Sequence, residues 1–134
     1  MKATSSFNRP RRAHIKLGRR GEHAAVKLLQ AKGMELLARN WKSGSGELDA
    51  VMRDGDVLVF VEVKSRRAGT AAEPKSNLST GQIRRIKRGA AKYMAKLDAD
   101  SLPYRYDLVE VKLSPWRITF IRHHENCYRE RKPR

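Results

Sequence analysis

The chain carries one cysteine, Cys127, in 134 residues, so it has no internal disulfide framework. No apolar run approaches the roughly 18 residues needed to span a bilayer, and the acid-free opening segment lacks the apolar core of a secretory signal. A disulfide-stapled secreted scaffold and a helical membrane protein are therefore not expected; a cytoplasmic protein with no membrane partner is. Acidic residues are scarce, 14 against 30 Lys plus Arg, which leaves a net charge of +16 and an isoelectric point near 10.7. Such a balance favours a polyanionic partner, with nucleic acid first. An anionic membrane surface is weaker, because no segment combines a basic face with a Trp/Phe/Leu face. Charge alone does not say what happens to the partner.

What is present reads as one domain, long enough to bury about two thirds of its unfolded surface. Residues 1–16 form a flexible basic arm with Pro10 interrupting any early helix, residues 17–122 the domain, and residues 123–134 a basic tail. A helix is expected from about Leu17 to Lys32, packing Ala25, Val26 and Leu29, with Gly33 as its cap. Met34 to Trp41 is a short strand, and Lys42 to Gly46 a flexible connector. Ser79 and Gln82 have capping-box spacing, and Ile83, Ile86, Ala90, Ala91, Met94 and Leu97 follow at helical period. Tyr104 to Leu113 and Trp116 to Ile121 are the last strands. The order α-β-β-β-α-β-β gives an α/β fold with a mixed central sheet flanked by helices, its parallel pair made by the crossover through the second helix.

The chemistry gathers around Gly46-Glu47-Leu48-Asp49 and Glu62-Val63-Lys64. Asp54-Gly55 between two apolar runs signals a hairpin, and a two-residue turn there places Met52 opposite Val57, Asp49 opposite Phe60 and Glu47 opposite Glu62. Leu48, Ala50, Met52, Val57, Val59, Val61 and Val63 then share one apolar face. Glu47, Asp49, Glu62 and Lys64 gather at the far end of the other face. Two unit charges about 4 Å apart repel by roughly 4 kcal/mol at an effective dielectric near 20, so a bound proton or a divalent cation must compensate. Glu22, on the buried stripe of the first helix, is a further acid that needs a partner. A slip of one residue in the pairing would put Asp49 and Glu62 on opposite faces and abolish the site.

Ser65 to Asn77 lacks periodicity and sits beside these acids, where it reads as a substrate flap or a disordered insert. The outer face of the second helix, with Arg84, Arg85, Lys87, Arg88 and Lys92, suits a phosphate backbone, joined by Arg66, Arg67 and Gln82. Two other groupings carry less. Glu110-Val111-Lys112 repeats the triplet without an acidic neighbouring strand, and His123, His124 and Cys127 lack a fourth zinc ligand.

Gly21-Glu22-His23-Ala24-Ala25, Arg39-Asn40-Trp41, Gly46-Glu47-Leu48-Asp49, Phe60-Val61-Glu62-Val63-Lys64, Ala90-Ala91-Lys92-Tyr93-Met94 and Arg105-Tyr106-Asp107 together resemble the bacterial YraN-like (UPF0102) family. That family resembles archaeal Holliday junction resolvases and, through them, the PD-(D/E)xK nucleases of restriction-endonuclease-like fold. The resemblance implies Asp49, Glu62 and Lys64 as catalytic residues, and Glu22, Asp49, Glu62 and the Val63 carbonyl as ligands of Mg²⁺ or Mn²⁺. Gly-Glu-Leu-Asp stands where the superfamily has Pro-Asp, and Gln82 where many relatives have lysine. The expected activity is metal-dependent hydrolysis of DNA, with branched DNA as one substrate class and a symmetric dimer as one assembly. The alternative is a non-catalytic nucleic-acid-binding protein on the same fold.

Overall fold

Val57, Leu58, Val59, Phe60 and Val61 form a continuous apolar run, which a strand needs when both of its faces are covered. A computed structural model, describing residues 3–69, 78–99 and 101–127, places that run in the middle of a five-stranded sheet. The elements are α1 (Ala3–Ala31), β1 (Glu35–Ser43), β2 (Gly46–Asp54), β3 (Val57–Arg67), α2 (Thr80–Lys96), β4 (Tyr104–Leu113) and β5 (Ile118–His124). The strands lie side by side in chain order, antiparallel except for the parallel β3–β4 pair that flanks α2. This is the expected α/β fold and element order.

Each helix closes one apolar layer. α1 packs Ala25, Val26 and Leu29 against Ala50, Met52, Val59, Val61, Val109 and Val111, and α2 packs Ile86, Ala90, Tyr93 and Met94 against Leu48, Val51, Leu58 and Phe60. Leu29, Val59, Phe60 and Val109 have no exposed surface. At about 25 cal/mol per Å² of apolar area, these two layers are the main source of stability. Ser79 accepts from the Gln82 amide at 3.1 Å while the Gln82 side chain accepts from Ser79 N at 2.8 Å, completing the capping box read from the sequence.

Several boundaries differ from expectation. α1 starts at Ala3 rather than about Leu17 and runs through Pro10. Proline costs the helix one N–H bond, but the Arg, Ala, Lys and Leu residues that follow are strong helix formers. The expected connector contracts to Gly44-Ser45, Ser65–Arg67 continue β3, and the last strand extends to His124. Residues 70–77 of the expected flap and 128–134 of the expected tail lie outside the described residues.

The hairpin register is corrected by two positions. Asp54 pairs with Val57 and Ala50 with Val61, so Gly55 and Asp56 form the loop, with Gly55 at φ 59° in the first loop position, where a type II′ turn requires glycine. A shift of two preserves the face of every side chain but moves Asp49 level with Glu62 instead of Phe60. Leu48 is also corrected: it packs under α2, not on the α1 face with Ala50, so the two-residue alternation breaks across Asp49.

Asp107 is the buried charged residue of the core, with no exposed surface. Arg105 Nε donates to its Oδ1 at 3.1 Å, His123 Nε2 lies 2.7 Å from its Oδ2, and Asn126 N donates to Oδ1 at 2.9 Å. Lys32 Nζ stands 2.8 Å from the other ring nitrogen of His123, tying the end of α1 to β5. His124 pairs with Glu110. Both histidines are thus engaged by carboxylates.

Candidate active site

The β2–β3 ladder runs from Asp54↔Val57 to Ala50↔Val61 and stops. Beyond that point β2 stays paired with β1 down to Gly46, and β3 stays paired with β4 up to Arg67. The two strands therefore fork, and Asp49 and Glu62 occupy the first level inside the fork. Asp49 Oδ2 accepts from Val63 N at 2.8 Å, so its carboxylate takes a bond that a strand carbonyl would otherwise receive. Glu62 donates to Asp49 through a side-chain hydrogen bond.

β1 accommodates the fork at Asn40, which drops out of the ladder opposite Asp49 and adopts φ 49°. Asparagine tolerates this left-handed region better than most residues. Its side chain hydrogen-bonds to Glu22, which α1 delivers from the other side of the sheet. A Cβ at Gly21 would lie 1.7 Å from Ser65 Oγ, so only glycine lets α1 approach β3 this closely and carry Glu22 to the fork.

α2 closes the remaining side. A Cβ on Gly46 would come within 2.7 Å of the Gly89 backbone, and one on Gly89 within 2.9 Å of Leu48 Cγ. Helix and strand backbones meet at this glycine pair. Arg85 then reaches Glu47 Oε2 at 3.8 Å, Arg88 donates to Ser45 Oγ at 2.9 Å, and Lys92 donates to the Ser43 carbonyl at 3.0 Å. Arg84, Arg85, Arg88 and Lys92 are exposed along the helix, and Lys87 is half-buried. Gln82 is used by the cap. Lys64 and Arg66 are half-buried on β3, and Arg67 is exposed at its end.

The electrostatics follow from three acids sharing a partly dry fork. Burial, and then the charge of Asp49, push the Glu62 carboxyl up to about 9. Burial also raises Asp49, opposed by the bonds from Val63 N and Glu62, and raises Glu22 with help from Asp49. Arg85 acts in the opposite direction on both Asp49 and Glu62. A Glu62 carboxyl raised this far keeps its proton beside Asp49, which is one of the two remedies the sequence allows. Among the described residues, no group of three or more His, Cys, Asp and Glu side chains is gathered closely enough to hold a metal ion. Asn40, and Arg85 as a neighbour of the acids rather than only of a phosphate backbone, are the site members that sequence reasoning missed. The Arg39-Asn40-Trp41 motif marks the former without revealing its conformation.

The family model for Uncharacterised protein family UPF0102 matches residues 21–111. The chain belongs to the UPF0102 family. It is 42% identical over 100 residues to a UPF0102 protein of Symbiobacterium thermophilum, covering 75% of this chain and 85% of the relative. A UPF0102 protein of Beutenbergia cavernae is 41% identical over 100 residues at the same coverage, and one of Frankia casuarinae 42% over 117 residues, covering 83% of this chain and 97% of the relative. The UPF0102 match begins at Gly21, the glycine that seats α1, and contains Glu22, Asn40, Asp49, Glu62, Lys64, Arg85 and Asp107. His123 lies beyond it. Among the described residues of this UPF0102 member, no helix is long and apolar enough to cross a membrane.

Proposed function

We propose that this UPF0102 protein is a metal-dependent DNA phosphodiesterase with an endonuclease-like site in the β2–β3 fork, acting on branched or otherwise distorted DNA. One observation carries the reading: Asp49 and Glu62 meet where two strands part, with Asp49 held by Val63 N at 2.8 Å. The resemblance of the same motifs to junction resolvases and PD-(D/E)xK nucleases supports it.

The chemistry of the donors suits a hard cation held by two carboxylates, since among the described residues no three acids are gathered into one cluster. The set consists of oxygen donors only, Asp49 and Glu62 with the Val63 carbonyl and Glu22 in support, and Mg²⁺ or Mn²⁺ typically takes one or two carboxylates and keeps water and phosphate oxygens elsewhere. When bound, such an ion supplies charge neutralisation at the phosphate and a more acidic water. The chain's own residues do the rest. Glu62 would release to solvent the proton it holds against Asp49, leaving both carboxylates as oxygen donors, and Asn40 hydrogen-bonds Glu22. Lys64, two residues along β3 and roughly 6.6 Å from Glu62, orients the attacking water or stabilises charge on the phosphate. Arg66, Arg67 and the basic face of α2 hold the backbone without reading bases.

Incubation of supercoiled, nicked, flapped and four-way-junction DNA in Mn²⁺ tests the assignment. Wild type should cut at least one substrate, and Glu62→Ala should cut at least 100-fold more slowly. Equal activity in the two, or none from wild type with either metal, would sink it. The second reading is a nucleic-acid-binding protein without catalysis. Its support is the mutual hydrogen bond of Asp49 and Glu62, which closes the pair on itself; it predicts binding unaffected by Asp49→Asn.

A further inference from the structure

Beside the buried face of α2 lies a cavity of about 160 Å³, lined by Lys87, Ala90, Ala91, Met94, Tyr104 and Tyr106. Tyr104 stands at it with 47% of its surface exposed. The ring is nevertheless fixed in place. Phe60 meets it at 6.1 Å and 66°, and Tyr106 at 5.8 Å and 85°, so two edge-on contacts set its plane before any ligand arrives. On the helix side, Ala90 and Ala91 keep the wall low. Lys87 belongs to the same helix as Arg84, Arg85, Arg88 and Lys92. Tyr104 is level with Leu58 on β3, four residues before Glu62 and so roughly 13 Å along the strand from it.

We propose that this cavity takes an unpaired nucleobase, stacked on Tyr104, with its backbone phosphates on Lys87 and the neighbouring cations of α2. The proposal rests on the nucleic-acid reading above and adds a preference for single-stranded or frayed segments. A preset aromatic ring beside a row of cations is the combination with which proteins hold single strands, because every base has a face to stack and every nucleotide a charge. A base inside an intact duplex is already stacked and cannot enter. A second copy of a chain with net charge +16, or a basic peptide, would be repelled by the same helix, so charge selects a polyanion.

Fluorescence anisotropy in EDTA, where no cutting occurs, separates the possibilities. The full-length protein is titrated with a short labelled single strand, the same strand with abasic positions, and its blunt duplex. Tyr104→Ala should weaken single-strand binding about tenfold, the scale of one lost base–aromatic stack, and change binding of the abasic strand and duplex by less than about twofold. Tyr104→Phe should bind as wild type, and Ala91→Leu, which fills the cavity from an exposed position, should repeat the selective loss. Unfolding midpoints identify any variant that fails to fold, and Tyr104→Phe and Ala91→Leu then decide. Equal losses on all three ligands, or no loss on any, overturn the cavity assignment. So does a Tyr104-dependent change of oligomeric state at constant nucleic-acid affinity. Wild type that binds duplex and abasic strand as well as the intact single strand removes the cavity and leaves the fork reading intact; wild type that binds none of them removes both.

Discussion

Glu62 donates a hydrogen bond to Asp49 at the level where β2 and β3 stop hydrogen-bonding to each other. Because burial raises the Glu62 carboxyl from 4.5 to about 9, the folded chain keeps a proton that the unfolded chain releases above pH 4.5. The folded state thus binds more protons across that window. This contribution to stability is complete below about pH 4.5 and is lost as pH rises toward 9. Urea midpoints without divalent ions should fall across this range. Glu62→Gln should flatten the decline and raise stability at pH 8 by about 1–3 kcal/mol. An unchanged slope in that variant would show that Glu62 is ionised throughout.

The glycine pair between α2 and β2 gives a second prediction. An exposed helical Gly→Ala change stabilises by up to about 1 kcal/mol. At Gly89 the new Cβ would instead press on Leu48 Cγ at 2.9 Å and Glu47 N at 3.0 Å, and at Gly46 on the α2 backbone at 2.7 Å. Gly46→Ala should therefore destabilise by about 1–3 kcal/mol, the cost of overpacking, and Gly89→Ala by less because Leu48 can yield. Thermal unfolding of both variants checks the order.

Asp107 sits on β4 level with Val61, one strand away from the fork. Removing its charge leaves His123, whose side chain is 1% exposed, without its carboxylate and leaves the Arg105 guanidinium with Asp54 alone. Asp107→Ala should cost roughly 3–5 kcal/mol, as expected when one partner of a buried ionic network is removed. Chemical denaturation measures it, and a loss below about 1 kcal/mol would mean that water replaces the carboxylate.

The outer face of α2 predicts a salt dependence. Each side chain that neutralises a phosphate contributes close to one unit to the slope of log affinity against log salt concentration. Arg84→Gln, at an exposed position, should reduce that slope by about one for duplex DNA with no change in which sequence binds best. A slope identical to wild type would remove Arg84 from the contact surface.

Local chemistry made much of this molecule legible. The Ser79/Gln82 box and the periodicity behind it fixed α2, the apolar run around Phe60 announced a doubly covered strand, and the acids at 49 and 62 stood out because a hairpin end has no use for two. The register error came from placing Asp54-Gly55, rather than Gly55-Asp56, in the loop; it was harmless to the site because a shift of two conserves faces. Leu48 changed faces because strict alternation was assumed through a level where β1 and β2 are both irregular. Nothing local marks Asn40 as left-handed or joins Asp107 to His123, since those relations arise only when distant segments meet. Pro10 masked the early start of α1, as a helix-breaking rule takes no account of the favourable residues on either side.

Inside the fork the sheet has two halves: β2 leans more on α2 than on α1, β3 and β4 lean more on α1, and β1 touches both helices. Asp49 belongs to the first half and Glu62 to the second. The junction between the acids is therefore bridged by side-chain contacts and not by a backbone ladder. Parting the two carboxylates there breaks the Asp49 contacts and removes none of the strand pairs.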